Sequence, residues 1–292
     1  MSPNRLIDYH VHERHSGDAR QTTVNNIVES AKNRGVKEVV FTTHYMSAGP
    51  SKGFGIKLSE IDEYLESIYE AQSRTSVVLK TGLEVDYFPE EERHIGELLS
   101  EYPFDFILGS VHTVNGLEIA SGRDAQAFYS RRSVHEAVEE YFKVWKMGVE
   151  SGLFDVMAHP DYFKKYLHYA RPEQLVWSDI KEAVIEPIDS LAEYGVGFEV
   201  NTSCLRHGAG EFFPLFEFIE AAHDAGVKKV TVGSDTHVPE TLGFRIEEAL
   251  RAINYAGYQT VSLFKGRKEH RVPIEEGVNH GASSIDELQV KV

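Results

Sequence analysis

A chain of 292 residues carrying a net charge of −16 is a poor candidate for tight nucleic-acid binding, because that needs Lys and Arg to neutralise phosphates. No apolar run approaches the ~18 residues that span a bilayer, and His10 and His12 are reached without a signal-peptide hydrophobic region, so a cytoplasmic location is expected. The 41% hydrophobic content is that of an ordinary globular protein, and the single cysteine, Cys204, has no internal disulfide partner.

In chain order, seven main strands are expected, at about residues 6–12, 38–44, 78–86, 104–112, 154–159, 196–201 and 228–235. Amphipathic helices alternate with them. Val24, Ile27, Val28 and Ala31 follow helical spacing, as do Ile61, Leu65, Ile68 and Tyr69. One join recurs five times, a helix followed by a glycine and then a strand: "NRGVKEVVF", "ESGLFDVMAH", "EYGVGFEVN", "DAGVKKVTVG" and "YAGYQTVSLF". Glycine just past a helix end takes the left-handed C-cap conformation without steric cost. Alternation of this kind implies parallel strands joined by right-handed crossovers. No Pro/Gly/Ser linker divides the chain. The expectation is one α/β domain over 1–292, a distorted TIM-like barrel of about seven strands, with a loose tail or short helix at about 278–292.

Such barrels place the active site at the C-terminal ends of the strands. Strand one ends in His10 and His12, strand two in His44, and strand three carries Glu84 and Asp86. Strand four ends in His112, and strand five in His159 and Asp161. Strand six gives Glu199 and Asn201, and strand seven Asp235 and His237. A lone histidine at a strand end is usually a hydrogen-bonded structural group, and a lone aspartate usually a helix cap. Six histidines at the same end of nearly every strand have no such shared reason. They imply a convergent metal site. Imidazole and carboxylate without thiolate suit Zn, Mn or Fe, and the number of groups suits three ions with a bridging carboxylate.

These motifs, the opening H-x-H, then T-x-H, G-x-E, S-V-H, A-H and G-S-D-x-H, appear in that order. From residue 8 to about 245 the chain resembles the polymerase-and-histidinol-phosphatase (PHP) family, known for a seven-stranded distorted barrel with a trinuclear metal site. The resemblance implies one ion held by His10, His12, Glu84 and Asp235. A second would share Glu84 and add His112 and His159. A third would take Asp18, His44 and His237, with His15 the competitor for Asp18's place. It makes Glu84, Asp235 and His237 the catalytic ligands. Asp8 and Asp86 are expected to orient ligands. Thr43 stands where the family often has an acid.

"GFEVNTSCLR" resembles the histidinol-phosphatase branch, with Cys204 where that branch has glycine. Arg206 would grip a substrate phosphate. Lys165, in "AHPDYFKKY", stands where the branch has arginine and keeps the charge without the bidentate fork. The implied reaction is hydrolysis of L-histidinol phosphate to L-histidinol and phosphate by a hydroxide bridging two ions, a step of histidine biosynthesis. The substrate is cationic at its amine, and Asp161 and Glu199 are expected at the mouth to meet it. The enzyme alternative is another PHP phosphoesterase, acting on a nucleotide, a sugar phosphate or a nucleic-acid end. A nuclease working on long strands should show a basic or aromatic track, which the net charge disfavours. A small-molecule phosphomonoester is therefore the expected partner, with neither nucleic acid nor membrane. A non-catalytic metal-binding domain is disfavoured by the complete ligand set.

Overall fold

Glycine ends the helices where the sequence places it. In the computed structural model, which describes residues 6–169, 175–207 and 210–274, α1 (Val24–Arg34) stops at Gly35 with φ 76°. The long helix Trp177–Tyr194 stops at Gly195 with φ 65°. A residue with a Cβ is rarely stable there, so these glycines turn the chain from helix directly into strand.

Seven parallel strands form one sheet in sequence order: β1 (Leu6–Val11), β2 (Val36–Tyr45), β3 (Val78–Asp86), β4 (Phe106–Ser110), β5 (Val156–Met157), β6 (Gly197–Asn201) and β7 (Val230–Gly233). The ring closes between β7 and β1 through one bridge. His12 N donates to Thr236 O at 2.8 Å and Thr236 N donates to His10 O at 3.1 Å. With helices between the strands, this is the expected distorted (β/α)7 barrel. β2 and β3 are at least as long as expected, while β4, β5 and β7 are shorter. β5 keeps only two residues in the ladder, because His159, at φ 25°, turns the chain out of the sheet.

The helical faces are mostly those expected. Val24, Ile27, Val28 and Ala31 are buried on α1. On α2 (Ile61–Gln72), Tyr69 is a correction: it is 51% exposed, while Tyr64 is fully buried. Tyr64 fits because its hydroxyl donates to the Phe41 and Gly82 carbonyls, which satisfies the polar end of a buried ring. Among the described residues no helix is long and apolar enough to cross a membrane.

Four of the five glycine joins feed barrel strands. The fifth leads into an antiparallel hairpin, Thr260–Lys265 with Lys268–Pro273. It lies across the barrel end opposite the strand C-termini. Phe264 N donates to the Tyr9 hydroxyl at 3.0 Å, and Gly266 N to Asp105 Oδ1 at 2.9 Å. Beneath the hairpin, Tyr9, Glu38 and Lys80 are joined, with Lys80 Nζ 2.5 Å from Glu38 Oε1. The other end stays open. There a second, tight hairpin, Thr113–Val114 with Leu117–Glu118, follows β4. Asn115 and Gly116 both have positive φ, the two-residue turn that an Asn-Gly pair favours. The tail expected at about 278–292 lies outside the described residues.

Candidate metal centre

Side chains alternate along a strand, so residues two apart share a face. His10 and His12 therefore both turn into the open end. Register adds the rest: His44 of β2 pairs with Glu84 of β3. Glu84 sits at the centre, buried, with its two oxygens serving different rings. Oε2 lies 3.1 Å from His10 Nε2, 3.4 Å from His12 Nε2 and 2.9 Å from His44 Nδ1. Oε1 lies 3.0 Å from His159 Nε2 and 3.5 Å from His112 Nε2. Asp235 Oδ1 stands 3.3 Å from His12 Nε2 and 3.7 Å from His10 Nε2. Asp18 Oδ2 stands 3.0 Å from His237 Nε2 and 3.8 Å from His44 Nε2.

All nine expected ligand residues thus meet at one end of the barrel. The donor atoms of eight of them, all but Asp18, fall into overlapping groups, each within 4.8 Å: His10 with His12 and Asp235, His10 with Glu84 and His159, His44 with Glu84 and His112, and His12 with His44 and His237. His15 is not among them. Its Nδ1 pairs with Glu13 at 2.8 Å and its ring lies edge-on to Tyr64.

The donor set fits cations. His12 Nε2, His44 Nδ1 and His237 Nε2 are buried with no well-angled hydrogen bond, although carboxylate oxygens stand within 3.4 Å of each. Unpaired buried polar atoms are costly unless something else meets them. The ionisation pattern agrees. Burial would lower His44, but the Glu84 and Asp18 carboxylates outweigh it and push the ring up to about 10. Burial likewise opposes His10, yet Glu199, Glu84 and Asp235 carry it well above its ordinary value. Burial would raise Glu84 and Asp235, but the surrounding imidazoles hold both well below the usual carboxylate range. His12 is lowered to about 3 by burial, with His237 and His44 adding to it. The carboxylates call for positive charge, and without ions protons on His10 and His44 supply it.

Supporting groups fix the rings. Ser16 Oγ lies 3.1 Å from His12 Nδ1 and 2.7 Å from Thr43 Oγ1, and accepts from His44 N at 3.0 Å. Thr43, where the family often has an acid, thus acts through Ser16. Asp86 accepts from His112 N at 2.7 Å. Asp8 does not touch a ligand ring. It accepts from Ser234 N at 2.9 Å and Gly243 N at 2.8 Å, and so holds the segment that carries Asp235.

Two expectations fail. Glu199 is fully buried, not at the mouth. Its Oε1 meets His10 Nδ1 at 2.8 Å, and its Oε2 accepts from His159 N at 3.1 Å and Asn201 Nδ2 at 3.0 Å. It fixes the His10 tautomer and leaves Nε2 to face the cluster. Asp161 is also fully buried. It accepts from Lys164 Nζ at 3.0 Å and Leu215 N at 2.9 Å. A strand-end acid read from sequence alone carries no depth, which is why both were placed at the rim.

The open cleft is about 340 Å³ and includes Lys165 and Arg206 in its lining, as expected. Lys165 Nζ donates to the Tyr162 hydroxyl at 2.7 Å. Arg206 donates from Nη1 to Ser234 O and from Nη2 to Asp235 O. Cys204 sits in the Ser203–His207 turn without a positive φ, so glycine's freedom is not needed there. Five lining residues were missed: Met46, Phe54, Glu118, Ala120 and Tyr162. Phe54 is brought in by close backbone approaches. A Cβ on Gly55 would lie 1.9 Å from His44 O, and one on Gly17 2.6 Å from the Phe54 ring.

Comparisons with known proteins bear on the family. A "Probable histidinol-phosphatase" of Deinococcus radiodurans is 29% identical over 269 residues, covering 90% of this chain and 98% of the relative. The "Histidinol-phosphatase" of Lactococcus lactis is 25% identical over 265 residues, covering 90% and 96%. Among solved structures, the histidinol phosphate phosphatase of Lactococcus lactis, complexed with Zn, L-histidinol and phosphate, superposes with a TM-score of 0.80 at 24% identity, covering 91% of this chain and 99% of that one. The putative histidinol phosphatase of Listeria monocytogenes gives 0.72 at 20% identity, covering 82% and 97%. The PHP domain family model matches residues 8–203, more than half of the chain, and the chain belongs to the PHP domain family.

Proposed function

We propose that the protein is a metal-dependent phosphomonoesterase that hydrolyses L-histidinol phosphate to L-histidinol and phosphate. The observation that carries the reading is Glu84, whose two oxygens face two separate sets of imidazoles. That is the arrangement of a carboxylate bridging metal ions. Relatives that span nearly the whole chain carry the histidinol-phosphatase name, which supports the substrate.

Three divalent ions fit the nine donors. His10, His12, Glu84 and Asp235 would hold one, Glu84, His112 and His159 a second, and Asp18, His44 and His237 a third. Zn is supported by the ligand of the Lactococcus structure, while Mn and Fe suit the same donors. When bound, such ions supply Lewis-acid activation of the phosphoryl group and of water at neutral pH.

The chain's own residues do the rest. Lys165 and Arg206 put two positive charges on the cleft wall for the phosphoryl oxygens. Arg206 is held by the carbonyls that frame Asp235, so its charge is fixed before substrate arrives. Glu199 and Ser16 keep the His10 and His12 rings oriented. Met46 and Phe54 cover part of the cleft and limit water. We read the chain as one barrel domain, since all seven strands share one sheet, and as a cytoplasmic enzyme.

The test is a turnover panel with Mn or Zn: histidinol phosphate, a nucleoside monophosphate, a sugar phosphate and glycerol phosphate. The highest kcat/KM is expected for histidinol phosphate. A maximum at a nucleotide, or equal values throughout, would remove the substrate assignment, and no hydrolysis of any member would remove the phosphatase reading.

A further inference from the structure

Glu118 is the carboxylate that neither the ion-holding cluster nor the phosphate contacts explain. Four carboxylates line the cleft: Asp18, Glu84, Glu118 and Asp235. The first, second and fourth each stand against imidazoles. Among the described residues, Glu118 is the cleft-lining acid whose side chain meets none. It comes from the hairpin after β4, and its Oε2 accepts a hydrogen bond from the Ser51 hydroxyl. Ser51 lies in the loop after β2. The pair therefore spans the rim above β3.

The cations stand elsewhere on the rim. Lys165 follows β5, and Arg206 follows β6 and is tied to the carbonyls after β7. With the strands ringed in sequence order, β3 lies across the opening from β6 and β7. A phosphomonoester bound with its phosphoryl group toward Arg206 points its leaving group across the ions toward Glu118. A carboxylate beside the phosphate would repel a dianion. At the far end the same charge selects a cation.

We infer that Glu118, braced by Ser51, is the specificity residue of this enzyme and binds the cationic amine of the leaving alcohol. This deepens the reading above and rests on it. Met46 and Phe54 line the same cleft and give the apolar surface a leaving group with an aromatic ring would cover. A charge-assisted contact of this kind is worth about ten- to a hundredfold in kcat/KM.

The experiment compares E118Q with the parent protein on three substrates: histidinol phosphate, its desamino analogue, which keeps the imidazole and loses the amine, and glycerol phosphate. Gln keeps the size and the acceptor for Ser51 and removes only the charge. The parent should favour histidinol phosphate over the desamino analogue, and E118Q should lose about ten- to a hundredfold of that preference, mostly through KM. E118K should reverse it. An undiminished preference in both variants, or an equal loss on all three substrates, overturns the role of Glu118. A parent enzyme that does not favour histidinol phosphate over glycerol phosphate defeats the underlying reading instead, so the two failures are separable.

Discussion

Glu84 has two oxygens and five imidazoles to serve, and no other side chain type does this at that position. Gln would keep the shape but leave one end with a donor facing the ions. E84Q should lower metal content at two positions and reduce kcat by orders of magnitude, read by elemental analysis beside turnover kinetics. Full occupancy with near-normal kcat would end the bridging role. A second consequence concerns protons. His44, pushed up to about 10, and His10, well above its ordinary value, both hold protons at neutral pH when no ion is bound. Ions must displace them. Metal binding should therefore release protons, and affinity should rise with pH. Titration calorimetry in buffers of differing ionisation heat measures the number released, and a value near zero at pH 7 would contradict the pattern. At this scale the sequence was informative about ligands and poor about depth. Imidazoles at strand ends announce themselves by type and spacing. Glu199 and Glu118 could not be told apart that way. One is locked under His10 and the other stands in the cleft, a difference made by packing.

The elements that shape the cleft are loops, and their positions depend on backbone contacts. The segment after β2 lies against its own strand: Ile56 N donates to His44 O at 2.8 Å, and Gly17 N to Phe54 O at 2.9 Å. Gly55 leaves no space for a side chain, since its Cβ would collide with the His44 carbonyl. G55A should cost about 1–3 kcal/mol, as overpacking does, and should lower kcat/KM because Phe54 and His44 move together. Calorimetry and kinetics on the variant check both, and unchanged values for each would show that the loop is free to shift. Four of the barrel strands were legible from β-branched runs after glycine joins, and the other three from their β-branched and aromatic runs alone. The hairpin after β4 was not, though "VNGL" holds its turn. It lies beyond the strand expected at about 104–112, where no element was expected, and with it went Glu118. The fifth glycine join leads out of the barrel because nothing local to "YAGYQTVSLF" says whether a strand enters a ring or covers its end.

For the molecule as a whole, ions that bind the folded chain far better than the unfolded one stabilise it by mass action. At a free concentration a hundred times Kd, one ion contributes about 2.7 kcal/mol, roughly 5 °C in Tm for a chain of this size. Protein dialysed against a chelator should melt lower by at least that much and recover with Zn or Mn. An unchanged Tm would place the ions outside the folded site.

The seam where the ring closes has its own consequence. Two hydrogen bonds join β1 to the stretch after β7, and His10, His12, Asp235 and His237 flank it. One half of the clasp therefore leaves the ribosome well before the other, with five barrel strands between them. A growing polypeptide on the ribosome exposes H-x-H early, when that pair offers only weak, incomplete chelation. Asp235 and His237 reach His10 and His12 only once β7 docks beside β1, so the ligand set is incomplete until the ring closes.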